Sequence, residues 1–121
     1  MNTKSVALQK SFAFALRIIK LCDYLCEEKR AFVIAKQLLK SGTSVGANLS
    51  ESDCAMSEND FLAKVYVAYK ECSETQYWLE LIKEAGYISQ EQFNSIYSDC
   101  NEITKMLAAT TKTLENKKGK K

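Results

Sequence analysis

A chain of 121 residues suffices for one domain that buries roughly two thirds of its unfolded surface. It has no proline, four glycines and 46% apolar residues, a composition that excludes a turn-rich β fold and suits long uninterrupted helices. The net charge of +2 hides a division: residues 1–50 sum to +5, residues 51–111 to −7 and the last ten to +4, so the body lacks the uniform basic footprint of a typical nucleic-acid-binding domain.

No charged n-region followed by an apolar run and a cleavage site opens the chain, so no secretory signal is expected. Lys10, Arg17, Lys20 and Asp23 interrupt the first apolar segment, which rules against a membrane span. A cytoplasmic protein is expected, with its five cysteines reduced and acting as small hydrophobes. Cys22 and Cys26 share a helical face, but the chain has no histidine and no recognisable set of further ligands, so no metal site is expected.

The first helix carries two stripes, Leu8-Phe12-Ala15-Ile19-Cys22 and Phe14-Ile18-Leu21-Leu25. A helix apolar on more than one side is buried on more than one side, and in so small a chain the extra surface is expected to meet another subunit. A turnaround near Glu27–Arg30 follows, without glycine or proline. The second stripe reads Phe32, Ala35, Leu39, Gly42, Val45 (or Gly46) and Leu49. Ser57 with Asp60 resembles a capping box ahead of the third stripe, Phe61, Val65, Ala68, Cys72, Thr75, Leu79 and Ile82. Gly86 is expected to end that helix in a left-handed cap, and Ser89 with Gln92 forms a second capping box. Phe93, Ile96, Cys100, Ile103, Leu107, Thr110 and Leu114 mark the fourth helix. Short connections force sequential helices to run antiparallel, so the fold is expected to be all-α, an up-down-up-down four-helix bundle over residues 1–114. A flexible lysine-rich tail is expected over residues 115–121.

Gly42-Thr-Ser-Val-Gly46 matches the nucleophile elbow of serine hydrolases. That motif needs a strand before it and a base beside Ser44, whereas the flanks read as helical and histidine is absent. Gly42, Ser44, Gly46 and Ala47 make instead a low-bulk helix surface. Two glycines inside a helix cost roughly 1 kcal/mol each relative to alanine, which close helix packing can offset. Glu51, Glu71 and Glu74 raise a carboxylate metal site of a metal-dependent enzyme; the usual arrangement in bundles also needs Glu-x-x-His pairs, which are missing. Ion pairs are the simpler reading, at i,i+4 for Asp60–Lys64 and Lys70–Glu74, or from Glu71 and Glu74 to Arg17, Lys36 or Lys40. Candidate phosphate contacts are Arg17, Lys20, Lys36, Lys40, Lys64, Lys70 and the tail lysines, with Tyr66, Tyr69, Tyr77 and Trp78 as possible stacking groups. A modest basic strip repeated around an oligomer would make a positive surface that one chain lacks.

Two blocks, Gln37–Glu51 and Lys70–Trp78, resemble the family of small four-helix-bundle proteins named for reading frames inside 23S ribosomal RNA intervening sequences. The accessory protein of diversity-generating retroelements is a relative. The likeness runs from about Ser11 to Leu107 and is densest at Gln37, Ser44, Ala47, Asn48 and Glu51, then at Phe61, Lys64, Ala68, Glu71, Glu74 and Trp78. It implies a homo-oligomeric ring, typically a pentamer, nucleic-acid binding through a basic surface, a protein partner in some members, no cofactor and no catalytic residue. Many relatives carry proline where Gly46 stands and glycine where Ser52 stands. The expected role is thus a non-enzymatic oligomer that binds RNA or DNA or scaffolds a complex that does. Its seam is expected to involve Gly42, Ser44, Gly46, Asn48, Glu51, Glu71, Glu74 and Trp78. The alternative is a protein-interaction module without nucleic-acid contact.

Overall fold

Ser5 opens the first helix, its hydroxyl accepting from the Leu8 amide at 3.1 Å and so satisfying one of the orphan donors of the first turn. The computed structural model describes residues 5–119. Among these lie four helices, α1 (Val6–Lys29), α2 (Phe32–Ser52), α3 (Glu58–Glu84) and α4 (Gln90–Gly119). The first turnaround is made without glycine: Arg30 takes the left-handed conformation at φ 53°, and the Ala31 amide returns to the Leu25 carbonyl. Gly86, at φ 83°, performs the same service after α3, where the Tyr87 amide bonds the Ile82 carbonyl. Ser89 and Gln92 make the reciprocal capping box at α4. At α3 the box is only half made. Ser57 accepts from the Asp60 amide, while the Asp60 carboxylate takes the amide of Met56 rather than that of Ser57.

Four sets of contacts fix the topology. Ile18 lies against Gly42 and Ser11 against Gly46, Ser41 meets Thr75 and Glu51 meets Lys64, Gln76 meets Thr104 and Glu80 meets Tyr97, and Arg17 meets Asp99 while Lys10 meets Glu102. In each set one number rises as the other falls, so every neighbouring pair is antiparallel and the helices form a closed square. The core is built from Phe14, Ile18, Leu25, Leu38, Val45, Leu79, Ile82 and Ile103, all essentially inaccessible. Burying each such side chain contributes roughly 1.5–3 kcal/mol. Ser11, Ser41, Ser52 and Thr111 are buried among them because each hydroxyl donates to a carbonyl of its own helix three residues back.

Three of the stripes need correction, and on α4 the buried threonine is Thr111 rather than Thr110. On α2 the inward face is Ala35, Leu38, Ser41, Gly42, Val45 and Leu49, leaving Phe32 and Leu39 exposed. On α3 it begins at Leu62 rather than Phe61. On α1 the stripe of Phe14 and Ile18 is inside, joined by Leu8 and Cys22, whereas Phe12 and Ile19 face outward. α4 continues past Leu114 to Gly119, and Lys117 reaches Glu58 at 3.0 Å; Lys120 and Lys121 lie outside the described residues. Of the cysteines, Cys22, Cys72 and Cys100 are buried, whereas Cys54 is exposed after α2. Burial, with Cys26 and Asp23 nearby, pushes the Cys22 thiol up to about 12, so it is a packing group and not a nucleophile.

Candidate interaction faces

The proposed cations divide into engaged and unengaged groups. Arg17 donates to Asp99 Oδ2 at 2.6 Å and to Ser95 Oγ at 2.9 Å, closing the α1–α4 seam. Lys64 donates to Glu51 Oε1 at 2.8 Å across the α2–α3 seam, and that carboxylate raises its pKa. Both cations therefore already face a carboxylate of a neighbouring helix. The expected pairs Asp60–Lys64 and Lys70–Glu74 do not form, and Arg17 goes to α4 instead of to Glu71 or Glu74. The reason is that α4 supplies carboxylates directly opposite α1, whereas α3 is not its neighbour. Among the described residues Lys20, Lys36, Lys40 and Lys70 make no ion pair; Lys20 borders a groove of about 510 Å³ with Arg17, Glu91 and Ser95.

The expected seam residues sit on two flanks of α2. Gly42 and Gly46 face α1: a Cβ at Gly42 would lie 2.8 Å from Ile18, and one at Gly46 would lie 3.1 Å from Ser11 Oγ. Both glycines admit the neighbouring helix closely. Ser44, Asn48 and Glu51 are on the other flank with Glu71, Glu74 and Trp78 of α3. Ser44 donates to the Lys40 carbonyl at 2.6 Å and Asn48 to the Ser44 carbonyl at 2.8 Å, so Ser44 is a helical residue with its proton committed and not a nucleophile on an elbow. Trp78 Nε1 donates to Glu74 at 3.1 Å. Burial and the neighbouring Glu74 hold the Glu71 carboxyl above its ordinary range, with Lys40 partly offsetting them. Glu51 is drawn to Lys64, and among the described residues no three His, Cys, Asp or Glu side chains gather as a metal ion requires.

Apolar surface is distributed unevenly. On the α1 flank, Phe12, Leu16 and Ile19 follow one another at one-turn spacing and are about half exposed, and Leu39 of α2 is exposed as well. Phe12 and Ala15 wall a groove of about 310 Å³, lined on the α2 side by Thr43, Gly46, Ala47 and Ser50. On the α3 flank, Val67, Tyr77 and Leu81 project outward, and Val33 of α2 is 79% exposed. There Phe32, Val33, Trp78, Leu81 and Tyr87 line a second cleft of about 640 Å³. Among the described residues none of the large apolar side chains left exposed lies on α4. The sequence reading found the double face of α1 but missed Leu16, Val33 and Leu81. For Leu81 the signal is an outward i, i+7 repeat, Val67-Glu74-Leu81, running beside the stronger core stripe of α3, and for Leu16 its one-turn spacing from Phe12 and Ile19.

Comparison with known proteins agrees with the fold. A family model described as 23S rRNA-intervening sequence protein matches residues 3–109. A crystal structure of a protein of unknown function from the S23 ribosomal protein family of Bacteroides thetaiotaomicron superimposes with a TM-score of 0.87 at 47% identity, covering 88% of this chain and 99% of that one. No curated protein matches the chain.

Proposed function

We propose that this chain, which belongs to the 23S rRNA-intervening sequence protein family, is a non-enzymatic bundle that self-associates in the cytoplasm and, as an assembly, binds RNA or DNA or scaffolds a complex that does. The observation that carries the reading is the sidedness of the apolar surface: α1, α2 and α3 expose large hydrophobic side chains while the described part of α4 exposes none. Exposed apolar surface concentrated on one side marks an interaction site, because leaving it in water forgoes about 25 cal/mol for each Å² that could be buried. A ring fits this arrangement, with α4 facing outward; five copies is the number the family resemblance suggests. No helix among the described residues is long and apolar enough to cross a membrane.

The nucleic-acid part draws its support from Lys20, Lys36, Lys40 and Lys70, which make no ion pair among the described residues and are repeated once per copy. Light scattering over a wide concentration range tests the assembly. A mass near five times the 13.7 kDa of the chain is expected, and a monomer at every concentration overturns the reading. Retention of structured RNA that weakens with added salt tests the second part. Engagement of Arg17 and Lys64 by carboxylates favours a second reading, a protein-interaction module with no nucleic-acid contact, and failure to retain RNA or DNA at low salt would establish it.

A further inference from the structure

Two of the buried cysteines face one another across the α3–α4 seam. Cys72 and Cys100 both belong to the core stripes of their helices. The Cys100 thiol donates to the Cys72 carbonyl oxygen at 3.6 Å and stands within hydrogen-bonding reach of the Cys72 sulfur. Cys22, by contrast, is turned to α2, its thiol donating to the Ala35 carbonyl at 3.3 Å. One turn on from the pair along each helix, Gln76 and Thr104 are half-buried and joined by one long hydrogen bond of 3.5 Å. The Thr104 hydroxyl also reaches Cys72, so the sulfurs lie just inside the edge of the seam, behind a polar contact that a small movement breaks. The two thiols are also unlike. Hydrogen bonding from Cys100, helped by Thr104, holds the Cys72 pKa below the ordinary thiol value although burial opposes it. The bond to Cys72 together with burial pushes Cys100 up. A sulfur biased towards thiolate thus has a protonated thiol beside it, the arrangement of an oxidisable cysteine and the cysteine that resolves it.

We propose that Cys72 and Cys100 form a redox modification site, converted by hydrogen peroxide to a disulfide that staples α4 to α3 and reopened by thiol reductants. The Cys72 thiolate attacks one peroxide oxygen and the O–O bond breaks. The hydroxide released takes up the proton that Cys72 gave, and Cys72 becomes a sulfenic acid. The Cys100 sulfur then attacks the Cys72 sulfur, the S–O bond breaks, and the departing hydroxide leaves as water with the Cys100 proton. Two thiols and one peroxide thus give one disulfide and two waters. Contact between the side chains lets this second step outrun further oxidation of the sulfenic acid. The bridge joins residues 28 apart in sequence and restricts the unfolded chain, so the oxidised protein should melt at a higher temperature.

The test uses the full chain carrying Cys54→Ser, which removes the exposed thiol and with it any bridge between copies at that position. After hydrogen peroxide and then catalase, the protein is unfolded, alkylated with N-ethylmaleimide and weighed. Two thiols are expected to escape alkylation and to regain it after dithiothreitol, with a peptide that links Cys72 to Cys100. In a further Cys100→Ala variant, its fold verified by helical circular dichroism, the sulfenic acid has no resolving thiol and should be trapped by dimedone at Cys72. Cys22 reports on the route, because bridging through the native seam leaves it alkylatable while the pair closes. A pair that stays fully alkylatable, a bridge to any other cysteine, or loss of Cys22 at the same rate overturns the proposal. So does a Cys100→Ala protein that takes no dimedone at Cys72.

Discussion

Gly42 and Gly46 are both helical glycines, yet their surroundings predict opposite consequences for alanine. At Gly42 the added Cβ would stand 2.8 Å and 2.9 Å from two carbons of Ile18, a side chain with no exposed surface and no room to withdraw. Overpacking of that kind costs about 1–3 kcal/mol, against about 1 kcal/mol gained in helix propensity. Gly42→Ala should therefore destabilise, by up to about 2 kcal/mol, in a denaturant titration. Pairing it with Ile18→Ala, which removes the obstructing carbons, should cost less than the two changes added separately. At Gly46 the nearest atom is Ser11 Oγ at 3.1 Å, so a small shift suffices. Gly46→Ala is expected to stay within about 0.5 kcal/mol of wild type, the propensity gain offsetting the shift. If Gly42→Ala melts like wild type, the close α1–α2 approach is not what requires that glycine.

At the scale of the helices, the first turnaround is where sequence and backbone disagree. Arg30 holds a left-handed conformation that costs a residue with a Cβ roughly 1–2 kcal/mol, and its guanidinium covers the Phe32 ring 5.3 Å away. Arg30→Gly relieves the backbone but loses the ring contact and adds freedom to the unfolded chain. A net gain of about 0.5–1 kcal/mol is expected, read as a raised melting temperature. The seam between α2 and α3 makes a prediction in pH. The folded pKa of Glu71 is raised, so above the unfolded carboxylate value the folded state holds the proton more strongly. Stability should then fall as pH rises through that window, and the loss is complete above the folded pKa. Glu71→Gln should be at least as stable as wild type near neutral pH, with any advantage gone once the wild-type carboxyl is protonated; thermal melts across acid pH read the difference.

The same seams show what the sequence could disclose. Ser89, Gln92 and Gly86 announce their caps, because capping chemistry is local and needs only residues three or four apart. Arg30 gives no such signal, since its conformation is imposed by the docking of α1 on α2. The phase of α2 is hidden for a related reason. Phe32 and Leu39 look inward by composition, yet Ser41 takes the inward place because its hydroxyl is satisfied by the Leu38 carbonyl and by Thr75 at 3.0 Å. The ion pairs were equally hidden. Arg17 and Asp99 are 82 residues apart, and only the closure of the bundle joins them.

Taken as a whole molecule, the chain places two different forces on overlapping surfaces, and salt separates them. Assembly through Phe12, Leu16, Ile19, Val33 and Leu81 would draw on apolar burial, which simple salt does not screen. Ion pairs across such a contact would add little at exposed positions and fade within a Debye length of about 8 Å at physiological ionic strength. Phosphate contacts behave differently, because each cation that meets a phosphate releases a condensed counterion and makes affinity fall steeply with salt. Raising sodium chloride from about 50 mM to 200 mM should therefore leave the sedimentation mass unchanged while RNA retention falls by a factor of ten or more, with a log–log slope that grows with the number of phosphates neutralised. Charge reversal at Lys20 and Lys70 should flatten that slope without altering the mass. If mass and retention instead decline together over this range, the contact between copies is chiefly electrostatic, and the apolar sidedness of α1, α2 and α3 is not what holds them together.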